Sequence, residues 1–198
     1  MKVGVIGRGR VGQALGTALS DTHELRFGVR DPDGSDEESI AAAAAWADTI
    51  ILATPWAAEA QITATIGPYV KGKTVIDATN PVGLRDGRLD LLRDATTPSL
   101  AERLPDAQIV KGFNQIGAEF IAETDLLERP PAMFFAADAE DAKTIALQIG
   151  TDAGFVALDG GPLSNARHLE SLAMLWIWSA VQGPLGRSFG FTLSHRKD

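Results

Sequence analysis

The most constraining feature of this sequence is its opening. Lys2-Val3-Gly4-Val5-Ile6 is a short apolar, β-branched run of the kind that forms a strand buried on both faces. Gly7-Arg8-Gly9-Arg10-Val11-Gly12 follows at once, and Gln13 to Ser20 reads as a helix with Val11, Leu15 and Leu19 on one face. Glu24 to Val29 reads as a second strand. Strand, glycine turn, helix and strand in close succession are the context a dinucleotide-binding βαβ unit requires. The spacing has a physical logic. Gly7 permits a tight turn, Gly9 lets the backbone approach a pyrophosphate, and Gly12 lets helix and strand pack closely. The helix start then offers unpaired N–H groups and the positive end of a dipole to phosphates.

The remainder alternates in the same manner. Ser35 and Glu38 form a candidate capping box for a helix through the alanine run Ala41 to Ala45, which predicts tight packing. Thr49 to Ala53 reads as a strand, Ala57 to Ile66 as a helix, and Thr74 to Asp77 as a strand. A long polar connection leads to Ser99 and Glu102, a second candidate cap. Strands are expected at Gln108 to Gly112, Met133 to Ala136 and Phe155 to Leu158, with helices at Ala118 to Leu127, Asp141 to Ile149 and Ser164 to Val181. The expected fold is α/β: a Rossmann-type, doubly wound, mostly parallel sheet with helices on both faces. Between Val29 and Thr49 there is room for one helix only, so the usual third edge strand is expected to be missing or vestigial. We divide the chain into a dinucleotide-binding domain, 1–160, and a helical C-terminal segment, 161–198.

The end of the second strand selects the dinucleotide. An acidic side chain there suits the ribose 2′-OH of NAD, and an arginine suits the 2′-phosphate of NADP. Phe27-Gly28-Val29-Arg30-Asp31 places Arg30 for a charge-assisted contact, Gly28 removes a side chain near the sugar, and Arg8 offers a second cation. NADP(H) is the expected cofactor, with Asp31 meeting the ribose of NAD as the competing reading. Ligands of such sheets lie beyond the carboxyl ends of the strands. There stand Thr54-Pro55-Trp56, Asn80-Pro81 and Phe113-Asn114-Gln115. Trp56 is a candidate wall for the nicotinamide ribose, and Asn80 and Asn114 are amides suited to a carboxamide or carbonyl. For each amide the alternative is a turn residue bonding its own backbone.

These residues resemble the coenzyme F420-dependent NADP reductases, which move hydride between NADP and a deazaflavin. The most specific segment is Gly161-Pro162-Leu163-Ser164-Asn165-Ala166-Arg167 with Glu170-Ser171-Leu172, supported by the glycine loop, Gly28 to Arg30, Thr54-Pro55-Trp56 and Gly183 to Leu193. The resemblance implies an electron-acceptor site at Gly161, Pro162, Leu163 and Ser164, with Gln115 and Ile116 beside it. It implies coenzyme F420 as the second substrate, with FMN or FAD as alternatives. Ser164 has a second reading as the N-cap of the last helix. The chain also departs from the family. Asn114-Gln115-Ile116-Gly117 stands where deazaflavin reductases carry a His-Thr-Ile-Pro-like stretch, Ala136-Ala137-Asp138 replaces a Gly-Asp, and the excursion after the second strand is shortened. Val110 to Asn114 and Asp77 to Pro81 look more like the NADPH domain of six-transmembrane metalloreductases, which passes hydride to a flavin.

Hydride transfer between a nicotinamide and a flavin-type ring needs stacked rings and exclusion of water more than an acid–base pair. No catalytic residue is assigned. His23, His168 and His195 all lie away from the strand ends in this reading. In the last helix, Leu169, Leu172, Ala173, Trp176 and Ala180 form one apolar stripe, while Leu175, Ile177, Trp178 and Val181 cover the other side. A helix apolar nearly all round is buried on both sides, which predicts a homodimer. Arg187, Arg196 and Lys197 are read as a solvated tail, with attraction of an acidic coenzyme as the alternative. Composition limits the rest. A net charge of −8 argues against a nucleic-acid surface, and the absence of Cys excludes thiolate metal sites and a thiol nucleophile. No apolar run approaches the length of a membrane span and no cleavable signal is read, so a cytoplasmic protein is expected. The rival from another class is a non-enzymatic NADP(H) sensor.

Overall fold

The computed structural model describes residues 1–92, 99–194 and 196. His195 and Lys197, singled out above, and the end of the polar connection, 93–98, lie outside them. The strands are β1 (Lys2–Ile6), β2 (Glu24–Val29), β3 (Glu37–Ser39), β4 (Thr49–Leu52), β5 (Thr74–Asp77), β6 (Val82–Arg85), β7 (Arg88–Leu91), β8 (Gln108–Lys111), β9 (Ala132–Ala137) and β10 (Val156–Asp159). The helices are α1 (Arg10–Leu19), α2 (Ile40–Trp46), α3 (Glu59–Ile66), α4 (Leu100–Arg103), α5 (Glu140–Asp152) and α6 (Ala166–Val181). The main sheet runs β10-β9-β8-β5-β4-β1-β2-β3. All neighbours are parallel except β8 and β9, so the doubly wound, mostly parallel fold expected from the sequence is the one observed.

Strand order reverses at β1: β2 lies on one side of it and β4 on the other. Alternation along the strands then builds two cores. Val3, Val5 and Ile51 face α1 and α5, joining Leu15, Leu19, Ala146 and Ile149. Ile6, Ile50 and Leu52 face α2 and α3, joining Ala43, Ala44, Ile62 and Ile66. The alanine run lets α2 lie close on the sheet. A Cβ on Gly28 would come within 2.6 Å of the Ile6 Cδ1 and 3.1 Å of the Ala43 Cβ. Gly28 is therefore also required for helix–sheet packing, a second reason for glycine at this position.

The third edge strand, expected to be missing or vestigial, is present in vestigial form as the three-residue β3, pairing with β2 through Phe27 to Val29. Other elements differ from expectation. Because β3 occupies Glu37 to Ser39, the cap of α2 is Ser39, whose hydroxyl accepts from the Ala42 N–H at 3.2 Å, and not Ser35. The polar connection contains the antiparallel hairpin β6–β7, closed by Asp86 and Gly87 at φ 51° and 76°. The helix expected over Ala118 to Leu127 is instead two 3-10 turns, Ala118–Phe120 and Thr124–Leu126. The change of direction between them buries Ile121 fully while leaving Leu126 67% exposed. The capping box of Ser99 and Glu102 is present and opens α4.

Beyond α6 the chain folds back as a strap. Trp176 stacks on Phe189 with centroids 5.4 Å apart and donates from its indole N–H to the Phe189 carbonyl at 3.0 Å. The Phe191 carbonyl accepts from the Ala132 N–H at 2.8 Å. The buried stripe of α6, Leu169, Ala173, Trp176 and Ala180, matches the sequence pattern.

Candidate functional site: a cleft at the strand reversal

β1 delivers the chain into a turn in which Gly7 takes φ 101°, a conformation only glycine adopts without strain. A Cβ on Gly12 would lie 2.0 Å from the Gly7 carbonyl oxygen, so the α1 start can approach the strand only because that position is glycine. At Gly9 the opposite holds: an added Cβ would meet no protein atom within 4 Å. Gly9 is also the N-cap of α1, with no side chain capping the helix start and no acidic residue in its first turn. Open space before uncapped N–H groups at a helix N-terminus is what a pyrophosphate fits.

Around this loop lies a cleft of about 480 Å³. The residues brought together there include Gly7, Arg8, Gly9, Val29, Arg30, Thr54 and Pro55 of the expected set. Asp31 and Ile40 join them, with Gln61, Ile62 and Thr65 on α3 forming the far wall. The α3 residues were not foreseen. Their only sequence signal was a helix placed directly after the Thr54-Pro55 strand end. Arg30 is exposed, and no described residue forms an ion pair with it. Arg8, by contrast, is held by Asp36 at 3.1 Å and Glu37 at 2.5 Å, and its guanidinium sits 4.7 Å over the Phe27 ring.

Arg10 turns away from the cleft. Its guanidinium meets Glu119 at 2.5 Å, and Glu119 also binds Arg187 of the strap at 2.8 Å. Burial pushes the Glu119 carboxyl up, but its own backbone N–H and the two arginines outweigh this and hold it below its ordinary value. Arg187 is therefore engaged with the body of the protein, a correction to its reading as part of a solvated tail. Val11, in the first turn of α1, is partly buried and packs against the core. Trp56 is half-buried at the start of a 3-10 turn and does not line the cleft.

At the next strand ends the amides are turned inward. Phe113, at φ 58°, swings the chain after β8 so that Asn114 faces Asn80. The Asn80 amide N–H donates to the Asn114 carbonyl at 2.8 Å, and the Asn114 amide donates back to the Asn80 Oδ1 at 2.9 Å. Gln115 donates to the Asn114 Oδ1 and to the Phe134 carbonyl, and accepts from the Phe134 N–H. Ile116 and Pro81 are buried. The polar groups of Asn80, Asn114 and Gln115 thus bond one another and tie β5, β8 and β9 together.

Behind them is a cluster the sequence reading missed. Lys111, 1% exposed, reaches the Asp77 Oδ2 at 2.9 Å, the Thr79 carbonyl at 2.5 Å and Glu170 on α6 at 3.2 Å. The other Asp77 oxygen accepts from the Thr79 N–H and hydroxyl. Charged residues ending two otherwise apolar strands were the available signal. Leu163 lines a separate cavity of about 190 Å³ beside this cluster.

The turn carrying Gly161, Pro162, Leu163 and Ser164 is firmly built. Gly161 takes φ 83° and donates its N–H to Asp159 at 2.7 Å, and the Leu163 N–H donates to Asp138 at 2.8 Å. The bond from the Gly161 N–H, aided by Lys143, holds the Asp159 carboxyl below its ordinary value. Ser164 lies exposed within a 3-10 turn, and the residue capping α6 is Asn165, so the N-cap reading of Ser164 is corrected. Among the described residues there is no cluster suited to a metal ion and no helix long and apolar enough to cross a membrane.

Comparison with known proteins agrees with this geometry. Residues 2–81 match the family model described as NADP oxidoreductase coenzyme F420-dependent. The F420-dependent NADP reductase of Methanothermobacter thermautotrophicus is 29% identical, over 89% of this chain and 88% of that one. A crystal structure of a candidate F420-dependent NADP reductase from Arthrobacter sp. FB24 superposes with a TM-score of 0.79 at 25% identity, over 98% of this chain and 100% of that one. The human metalloreductase STEAP2 is 26% identical over 58% of this chain, a match spanning 22% of the metalloreductase. The resemblance read from the sequence is borne out. The enzyme class it implied, an NADP-dependent oxidoreductase, is that of the matched family and of the relative from Methanothermobacter.

Proposed function

We propose that this chain, resembling the F420-dependent NADP oxidoreductases over most of its length, binds NADP(H) and transfers hydride between it and a deazaflavin of the coenzyme F420 type. The observation that carries the reading is the open, uncapped start of α1 at Gly9, at the strand reversal and beside an exposed Arg30. The nicotinamide supplies the hydride, and the deazaflavin ring receives it at carbon. The protein's part is to bind, orient and exclude water. Gly7 and Gly9 admit the pyrophosphate, Arg30 offers the 2′-phosphate a guanidinium, and Thr54, Pro55, Gln61 and Thr65 wall the adenosine end. The Asn80–Asn114–Gln115 network acts one step back, fixing the strand ends on which the reacting rings would rest.

The turn from Gly161 to Ser164 is the proposed acceptor face. Its support is the resemblance of that segment to the family, read from the sequence, and the backbone rigidity that Asp138 and Asp159 give it. A flavin acceptor has one observation in its favour: Asn114 and Gln115 occupy the place of the family's His-Thr-Ile-Pro-like stretch. The outer face of α6 carries Leu175, Trp178 and Val181, each at least half exposed, with Leu185 just beyond. We take this apolar strip as the contact with a second copy of the chain. The chain is divided functionally at 160/161, with the cleft before and the acceptor turn and dimer helix after.

The test is anaerobic NADPH oxidation with coenzyme F420, FMN and FAD offered in parallel. Rapid reduction of the deazaflavin alone is expected. Turnover only with a flavin would replace the acceptor, and tight NADPH binding without turnover would favour the sensor.

A further inference from the structure

Arg8 stands at the first variable position of the glycine loop, where it lines the cleft beside Arg30 and Asp31. Two arginines at the ribose end would form a strong 2′-phosphate clamp, yet only one of them is free. The Arg8 guanidinium is spanned by both oxygens of Asp36, each at 3.1 Å, and also meets Glu37 at 2.5 Å. Its face is covered by Phe27. Glu37 is itself fixed: its second oxygen accepts from the N–H groups of Asp33 at 3.0 Å and Gly34 at 3.3 Å. The Asp33 N–H, then Arg8 and the Gly34 N–H, hold the Glu37 carboxyl down at about 2, so it is charged wherever the protein is folded and working. At the ribose end two guanidinium groups therefore face three carboxylates, Asp31, Asp36 and Glu37.

We propose that Glu37, with Asp36, is a specificity-determining residue that occupies Arg8 as a built-in competitor for the dinucleotide's 2′-phosphate. The inference rests on the dinucleotide-binding reading above. The acids neutralise Arg8 and add like charge beside the 2′ position, which works against a phosphate there and leaves a bare 2′-OH unaffected. Selectivity for NADPH over NADH then comes from Arg30 alone and is weaker than the pair of arginines implies. The short turn over residues 30–36 between β2 and β3 is what brings β3 and its acids onto the glycine loop.

The experiment is fluorescence titration of NADPH and NADH against the full chain, its Glu37→Gln and Asp36→Asn variants, and Arg8→Gln alone and combined with Glu37→Gln. Gln at 37 keeps an oxygen for the Asp33 and Gly34 N–H groups, and Asp36→Asn leaves those bonds untouched, so at least one variant retains the loop. Removing either acid is expected to tighten NADPH by roughly ten-fold while changing NADH less than about two-fold, and the gain should vanish in the Arg8→Gln background. Both nucleotides binding with an unaltered NADPH-to-NADH ratio in Glu37→Gln and Asp36→Asn would overturn this proposal alone. Weaker NADPH binding in both variants would also overturn it, since the acids would then be orienting Arg8 toward the phosphate. Failure of the wild-type chain to bind either nucleotide would overturn the dinucleotide reading and this inference with it.

Discussion

Gly9 and Gly12 lie three residues apart and predict opposite outcomes on substitution. Gly9→Val places its side chain in open space, so the variant folds with a wild-type melting curve and loses dinucleotide binding. A folded Gly9→Val protein that still binds NADPH would contradict the loop's role. Gly12→Ala drives a methyl into the Gly7 carbonyl and lowers stability itself. Arg30→Ala should weaken NADPH by about ten-fold and NADH far less, and equal losses would remove the 2′-phosphate assignment. Lys111→Met removes the buried cation that Asp77 and Glu170 share and is expected to cost about 3–5 kcal/mol in urea unfolding. His23 supplies a pH test. Burial, helped by the nearby N-terminal ammonium, lowers its pKa although Asp152 lies 3.2 Å away. A histidine depressed in the folded state contributes stability above its ordinary value near 6.5 that is lost as pH falls through the folded value. His23→Gln should therefore flatten the stability loss between pH 7 and 5. Site legibility at this scale was uneven. The glycines and Arg30 were readable because each rests on a local backbone or charge requirement. The capture of Arg8 by Asp36 and Glu37 was not, since it depends on where β3 folds.

Elements show the same division. The alanine run was rightly read as tight packing, because small side chains at helical spacing have one physical use against a sheet. The hairpin β6–β7 went unread although Asp86-Gly87 is a strong hairpin signal, flanked as it is by Val82, Leu84, Leu89 and Leu91 at alternate positions. Residues 118–127 have helical periodicity, yet tertiary contacts to Arg10, Arg187 and the core break them into two turns. The turn from Gly161 to Ser164 gives a prediction at this scale. Asp138→Ala and Asp159→Ala each remove a carboxylate that holds a backbone N–H, loosening the turn without touching the dinucleotide cleft. Each should raise KM for the electron acceptor several-fold while leaving the Kd for NADPH unchanged. A change confined to NADPH would move the acceptor site elsewhere.

For the whole molecule, the order β3-β2-β1-β4-β5-β8 follows from right-handed strand–helix–strand connections, so the sheet and its ligand-binding edge were legible from alternation alone. What alternation does not encode is the return of the strap, which joins α6, β9 and the glycine loop through Trp176, Phe191 and Glu119. The second copy proposed on α6 predicts that Trp178→Glu converts a dimer to a monomer in light scattering. A wild-type monomer would remove it. The central claim is a direct hydride passage from NADPH to a deazaflavin, and isotope transfer tests it most directly. NADPH deuterated at the nicotinamide C4, in separate samples of each face, is mixed anaerobically with coenzyme F420 and the protein. The deazaflavin carries carbon where a flavin carries nitrogen, so a transferred deuterium stays bonded and is counted by mass spectrometry. The account predicts one deuterium in the reduced deazaflavin from one of the two faces. Reduced product free of label from both, or NADPH that is bound and never oxidised, would contradict it.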